Sequence, residues 1–263
     1  METSSPGSLV FVGAGLYSTQ DLTIQAIKII SKADQVYFDT YTSLITGATL
    51  DDFSKQLNTK ITPLSRKDIE EFPESGILSV AKVKDVVLLV PGDPMISTTH
   101  LDLRIRAHQQ GIRTRIIHGI SIQSAALSAC GLENYKLGAS ITLPFLTDNY
   151  APESPYYRLH ENFTRGLHTL IYLDIQAEKK RFMSISDGID TLLTLEAKIK
   201  KGLITQQSLL VGLARVGSPT MKIVAGLPRD LQKIDFGSPP HILIFPGKLH
   251  FMEEEALNAF AKL

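Results

Sequence analysis

The 263-residue chain has one cysteine, Cys130, and no excess charge of either sign, with 27 Lys and Arg against 27 Asp and Glu. A single cysteine excludes an intrachain disulfide and a cysteine-based metal cluster. Cys130 lies in the apolar run Ala125-Ala126-Leu127-Ser128-Ala129-Cys130, which marks it as a small buried side chain and not a nucleophile. The charge balance argues against a dedicated nucleic-acid binder, which carries a basic excess. No apolar run reaches the ~18 residues of a membrane span. The start, Met1-Glu2-Thr3-Ser4-Ser5-Pro6-Gly7-Ser8, is polar and has no signal-peptide pattern. There is no internal repeat and no low-complexity run. These absences leave a cytoplasmic enzyme as the expected class. The length allows one large domain or two modest ones.

What is present centres on Val90-Pro91-Gly92-Asp93-Pro94-Met95-Ile96-Ser97-Thr98-Thr99-His100. The apolar run Val86 to Val90 precedes it, and a helical pattern, Leu101 to Ala107, follows. A buried strand thus empties into a tight turn at its carboxyl end, where ligands of open α/β sheets sit. The prolines fix φ on either side of Gly92 and Asp93, and Gly92 allows close approach. Asp93 is expected there with its carboxylate free to accept hydrogen bonds. Standing alone, the tetrapeptide reads equally as a plain turn, since these residues dominate turns.

Strands are expected at Leu9–Val12, Val36–Phe38 ending at Asp39, Lys60–Thr62, Val86–Val90 and Arg113–Ile117. Asp21 is expected to cap a helix through Ile24, Ile27 and Ile30. Gly111 closes a second helix, and Ser121 caps a third that ends at Gly131. Alternating strands and helices imply a mainly parallel sheet. Beyond Lys136 the alternation breaks. Strands are expected at Ala139–Leu143, Thr169–Leu173, Ser208–Ala214, Lys222–Ala225 and Ile242–Phe245. A loop spans Pro144 to Pro155, with helices near Ser186–Lys200 and Glu253–Leu263. The expected architecture is α/β in two lobes. The first, 1–138, carries a mainly parallel sheet with the glycine-rich and Pro-Gly-Asp-Pro loops, and the second, 139–263, carries a mixed sheet.

Gly13-Ala14-Gly15 after the first strand invites a dinucleotide reading, with Asp39 placed to hold a ribose. The third glycine of that fingerprint is missing, because position 18 is Ser18. The two glycines read equally as a tight strand-to-helix turn.

Several segments in order resemble the diphthine synthases of the tetrapyrrole-methylase superfamily. They are Phe11-Val12-Gly13-Ala14-Gly15-Leu16 with Asp21, Tyr41-Thr42-Ser43, Pro91-Gly92-Asp93-Pro94 with Thr98-Thr99-His100, and Leu103-Arg104-Ile105-Arg106-Ala107. His118 with Ser121-Ile122, Gly166-Leu167-His168-Thr169-Leu170, Leu173-Asp174-Ile175, Ala214-Arg215-Val216-Gly217-Ser218 and Pro239-Pro240-His241 through His250 continue the series. The Gly-Asp-Pro loop marks only the superfamily; the ordered set marks the subfamily. Where the family's first loop commonly has leucine, this chain has Ala14, which leaves both glycines in place.

The resemblance implies an S-adenosylmethionine-dependent methyltransferase acting on translation elongation factor 2 in diphthamide biosynthesis. The acceptor would be the amino group of a 3-amino-3-carboxypropyl histidine. The segment Asp174 to Met183 lacks the insertion of eukaryotic relatives, so the shorter archaeal type and trimethylation are implied. The family places its cofactor in the cleft between the lobes. By motif, its contacts would be Leu16, Asp93, Ile96, Ser121, Ile122, Leu173, Val216 and His241. By itself His241 reads as a strand-start histidine beside two prolines. Tyr41, Thr42 and His100 are candidates for meeting the substrate, with Tyr41 offering a ring face to a growing cation. No metal or obligatory base is expected, because the sulfonium is already activated. A homodimer is implied by the family; nucleic acid and membrane are not expected partners. The basic cluster Arg104, Arg106, Arg113 and Arg115 reads either as a docking patch or as a solvated face. Rival readings are a corrin, tetrapyrrole or RNA methyltransferase of the same superfamily, a nicotinamide-dependent oxidoreductase using Gly13, Gly15 and Asp39, and a scaffold without cofactor.

Overall fold

The computed structural model describes residues 6–261. Part of the polar start (Met1–Ser5) and the end of the expected last helix lie outside the described residues. The chain divides into two compact units, Met1–Ile122 and Gln123–Leu263.

The first unit is a parallel sheet. Its strands are β1 (Ser8–Gly13), β2 (Gln35–Asp39), β3 (Ile61–Leu64), β4 (Asp85–Val90) and β5 (Arg113–Ile117), in the order β3-β2-β4-β1-β5. Crossovers run through α1 (Ile24–Ile30), α2 (Leu50–Gln56), α3 (Ile77–Ala81) and α4 (His100–Gln109). β4 lies mid-sheet and is buried along its whole length after Asp85. That explains its unbroken apolar run, because both faces of a parallel sheet are covered. Val86, Leu88 and Val90 join one core with Leu9, Phe11 and Leu103, while Val87 and Leu89 join another with Val12, Ile30 and Phe53. The alternation follows the two-residue period of a strand.

The second unit takes up α5 (Ile122–Cys130) from its second residue and carries a mixed sheet. Its strands are β6 (Ile141–Leu143), β7 (Thr169–Leu173), β10 (Leu210–Ala214), β11 (Lys222–Gly226) and β12 (His241–Phe245). The order is β11-β10-β12-β7-β6, antiparallel except where β6 joins β7. A small hairpin, β8 (Ile175–Gln176) with β9 (Arg181–Phe182), follows β7. The helices are α6 (Ser154–Thr164), α7 (Ile185–Ile199), α8 (Pro228–Leu231) and α9 (Phe251–Phe260). α7 starts in a reciprocal cap between Ser184 and Asp187 and buries Ile185, Ile189, Leu192 and Leu195 on one face. Each such side chain contributes roughly 1.5–3 kcal/mol before entropy costs. Gly188 lets the helix settle on the sheet, since a Cβ there would stand 2.7 Å from Leu173 Cδ2.

Local differences from the sequence expectation have physical causes. α1 is capped by Thr23, whose hydroxyl accepts from the Ala26 amide, and not by Asp21. Asp21 instead accepts the amides of Leu16, Tyr17 and Ser18. α2 and α3 are too short to show a helical period. α6 begins inside the expected 144–155 loop, with Pro155 in its first turn, where a missing N–H costs nothing. The units divide at 122/123, earlier than the sequence change near 138. Segment 131–136 is held by α9: Glu253 accepts the Glu133 amide at 2.9 Å and pairs with Lys136, and Gly131 abuts Ala256.

Candidate active site

In the first unit, the carboxyl ends of β1, β4 and β5 meet main chain to main chain. Gly15 and Gly92 exchange backbone hydrogen bonds, N–H to O at 3.3 and 2.6 Å. A Cβ on Gly13 would stand 2.5 Å from the Gly119 amide nitrogen, and one on Gly119 would stand 2.5 Å from the Gly92 carbonyl oxygen. Gly92 also needs its positive φ of 74°, which glycine adopts without penalty. The result is a ledge of closely packed peptide groups that leaves no room for a side chain at Gly13 or Gly119.

Asp93 fixes this ledge. Its Oδ1 accepts the Met95 amide at 2.9 Å, and its Oδ2 accepts the Gly119 amide at 3.3 Å and lies 2.7 Å from His118 Nδ1. The expectation of a free carboxylate is therefore corrected: Asp93 is buried and ties the β4 loop to the β5 loop, leaving one Oδ1 lone pair. Leu16 and Ile96 flank the ledge on the β1 and β4 loops, Ile96 being exposed. Ser121 and Ile122 lead into α5.

The substrate candidates gather on one group that sequence reading had placed elsewhere. Asp39, at the end of β2, is fully buried. Its Oδ1 accepts the amides of Tyr41 (2.9 Å) and Thr42 (3.2 Å), and its Oδ2 accepts the Thr42 hydroxyl. His100 Nε2 lies 3.2 Å from the same Oδ2, close enough for charge attraction but outside hydrogen-bond geometry. Asp39 thus has no face for a ribose. Ser18, where a dinucleotide loop needs glycine, caps a separate short turn over 19–21. Both facts remove the nicotinamide reading.

Tyr41 is buried too. Its hydroxyl donates to Glu70 Oε1 (2.9 Å) and stands 3.1 Å from Thr99 Oγ1, which itself donates to Glu70 (2.8 Å). Burial pushes the phenol pKa well up, so Tyr41 stays a neutral donor. The Arg66 guanidinium already lies 5.2 Å from the ring centroid. A ring face open to a growing cation is not what the structure offers. Glu70 had no sequence signal: it sits in a five-residue π-helical turn, Lys67–Glu71, a form that recurs at functional sites.

In the second unit, Leu173 ends β7, Val216 follows β10, and His241 starts β12. Arg215 holds the neighbouring loops: its Nη1 donates to the carbonyls of Phe236 (2.7 Å) and Ser238 (2.5 Å), its Nη2 to Thr220 (2.9 Å), and its own amide to Pro240. Its place in the Ala-Arg-Val-Gly-Ser segment was the available signal. Burial lowers the His241 pKa below the usual 6.5, so the ring is neutral at pH 7. Nε2 donates to the Gly237 carbonyl at 3.1 Å. Nδ1 is left a buried acceptor with no protein partner.

Three members of the basic cluster are engaged within their own unit. Arg106 pairs with Asp102 and Glu74, Arg104 donates to Thr114, and Arg113 to the Pro6 carbonyl. That favours the solvated-face reading. Among the described residues no helix is long and apolar enough to cross a membrane.

Residues 8–227 match the family model of the Tetrapyrrole (Corrin/Porphyrin) Methylases. The chain is 45% identical over 255 residues to a diphthine synthase of Methanocella arvoryzae, covering 97% of this chain and 98% of the relative. It is 44% identical over 252 residues to that of Methanocaldococcus jannaschii, covering 95% and 97%. Among solved structures, a diphthine synthase superposes with a TM-score of 0.88 at 34% identity, covering 97% of this chain and 96% of that one. A putative diphthine synthase from Entamoeba histolytica does so with 0.88 at 31% identity, covering 98% and 99%. The expected two-lobed α/β fold is the one observed, and a chain so alike over nearly its whole length is a methyltransferase that belongs to the diphthine synthase family of the tetrapyrrole methylases.

Proposed function

We propose that the protein uses S-adenosylmethionine to trimethylate the amino group of a 3-amino-3-carboxypropyl histidine on translation elongation factor 2. It would do so as a cytoplasmic homodimer. The observation behind the donor assignment is the ledge where Gly13, Gly92 and Gly119 pack backbone to backbone at the strand ends, with no room for a Cβ at Gly13 or Gly119. The chemistry of the flanking groups suits the same donor. Leu16 and Ile96 offer apolar contact to an adenine or a methionine chain. Asp93 shapes the loop and keeps one lone pair for a hydroxyl. Ser121 and Ile122 open α5, whose N-terminal amides suit a carboxylate. In the second unit, Leu173 and Val216 present backbone at strand ends, and the unpartnered His241 Nδ1 suits an amino or hydroxyl donor.

When bound, this cofactor supplies an activated methyl group on a sulfonium. The chain's own residues then hold the acceptor nitrogen in line and unprotonated. Reacting atoms need to approach within ~3–3.5 Å. The loops 41–43 and 98–100, locked through Asp39 and Glu70, are rigid enough to orient it. Full-length elongation factor 2 bearing the modified histidine, incubated with enzyme and S-adenosylmethionine, is expected to gain three methyl groups by mass spectrometry. No added mass, with S-adenosylhomocysteine still bound, would refute the acceptor and turn attention to tetrapyrrole or RNA substrates.

A further inference from the structure

Arg215 follows β10 in a left-handed conformation, with φ of 51°. A residue with a side chain is held there only where its surroundings over-determine it, and such positions cluster at ligand sites. The Arg215 carbonyl accepts the Ser218 amide at 3.0 Å, which closes the turn that carries Val216. Its amide donates to the Pro240 carbonyl at 2.9 Å, and its guanidinium donates to the carbonyls of Phe236, Ser238 and Thr220. Gly237 lies against the same guanidinium, since a Cβ there would stand 3.1 Å from Nη1. Carbonyls 236, 238 and 240 are thus all turned to Arg215. The Gly237 carbonyl accepts instead from His241 Nε2 at 3.1 Å. A carbonyl oxygen only accepts, so this contact puts the hydrogen of the neutral imidazole on Nε2. Nδ1 is then a lone pair. It is buried and meets no group of the protein among the described residues. An acceptor left in that state costs about 1–3 kcal/mol, and it calls for a partner from outside the chain.

From this arrangement we infer that Arg215 is a positioning residue of the donor site: it draws segment 236–240 into the form in which the Gly237 carbonyl fixes His241, leaving Nδ1 to accept an N–H or O–H of the bound ligand. This role rests on the function proposed above for the ligand's identity, and Arg215 takes no part in the methyl transfer itself. Nδ1 in this form attracts a donor and repels an acceptor, so the ligand atom it meets is an amino or hydroxyl group and not a carbonyl oxygen.

Arginine is required because its planar fork reaches three carbonyls at once; lysine keeps the charge but has no fixed fork. The charged neighbours supply a different hold. Asp235 accepts the Gly237 amide at 2.8 Å, and Lys222 Nζ donates to the Asp235 carbonyl at 2.7 Å. These bonds steady the start of the segment without setting the Gly237 carbonyl. The Phe236 ring stands edge-on to the imidazole at 6.2 Å and offers it no donor.

Two measurements test this. Nitrogen NMR of the histidine-labelled wild type at pH 7, with H241A to assign the signal, should show His241 protonated on Nε2. Titration with S-adenosylhomocysteine should shift the Nδ1 resonance and leave that nitrogen unprotonated. Calorimetry then gives S-adenosylhomocysteine affinities for wild type, R215K, H241A and the double variant. R215K is expected to bind about tenfold more weakly, the scale of one lost hydrogen bond. In the H241A background the same substitution should cost less than about twofold, because Arg215 acts through His241. An unchanged affinity in R215K, or an equal loss in both backgrounds, overturns the positioning role. Nδ1 protonation in the wild type, or an Nδ1 signal that bound ligand does not move, overturns it without any variant having to fold. In each of these outcomes the wild type still binds S-adenosylhomocysteine, and the proposed function stands. A wild type that does not bind S-adenosylhomocysteine overturns the donor assignment and the role of Arg215 together.

Discussion

Glu253→Gln is the sharpest test of how the second unit is held. Glu253 lies in the first turn of α9 with no exposed surface. Its Oε1 accepts the Glu133 amide (2.9 Å) and His168 Nε2 (2.7 Å); its Oε2 accepts the His250 amide (2.8 Å) and pairs with Lys136. Burial alone would raise its pKa, but these four donors together hold it down at about 2, against an ordinary 4.5. That difference corresponds to about 3 kcal/mol of stability at neutral pH. Glutamine keeps one acceptor oxygen and turns an NH₂ toward two of the donors, so a loss of about 3 kcal/mol is expected at pH 7. Because the folded-state pKa is depressed, the contribution is fully present above about pH 4.5 and fades as pH falls toward 2. At pH 3 less than half should remain, about 1.4 kcal/mol. His168, which burial holds below its usual 6.5, adds a loss of its own on acidification. The quantity to read is therefore the difference between wild type and variant, by urea unfolding from pH 7 to pH 3. A difference that stays constant over that range, or one under about 0.5 kcal/mol at pH 7, would refute the reasoning.

Gly119→Ala should disrupt the ledge, because its methyl group would press on the Gly92 carbonyl and Gly13. We expect about 1–3 kcal/mol of destabilisation and at least a tenfold weaker S-adenosylhomocysteine affinity by calorimetry. Gly111→Ala, with open space around it but φ of 75°, should cost about 1 kcal/mol and leave that affinity unchanged. Tyr41→Phe removes one donor from Glu70 and should cost about 1 kcal/mol in thermal unfolding. It should raise KM for the protein substrate while cofactor affinity holds.

The strands of the first unit were legible because a buried parallel sheet writes continuous apolar runs, and Val86 to Val90 is the plainest. The glycine loops were legible for the same local reason: a strand that ends in glycine advertises a close approach. What Asp93 does was not legible, because two of its partners, His118 and Gly119, arrive from β5, some twenty-five residues away. Asp39 was visible only as an acid at a strand end, and its gathering of Tyr41, Thr42 and His100 depends on two loops meeting in space. α2 and α3, seven and five residues long, are too short to show a period. The division at 122/123 was hidden because α5 follows the alternating pattern of the first unit in sequence while its continuation is anchored by α9.

The ledge at Gly13, Gly92 and Gly119 has a further consequence for anyone who would redesign this chain. Its contour is written in peptide groups, which every residue possesses. Exchange of neighbouring side chains, at Ala14, Leu16 or Ile96, can retune fit without redrawing the outline, whereas the glycines admit no synonym. Under the proposed function, acceptor preference and donor recognition would in this sense be separately editable. On that reading, loops 41–43 and 98–100 would be the ones to recast for a different nucleophile, with Asp39 left to hold them together.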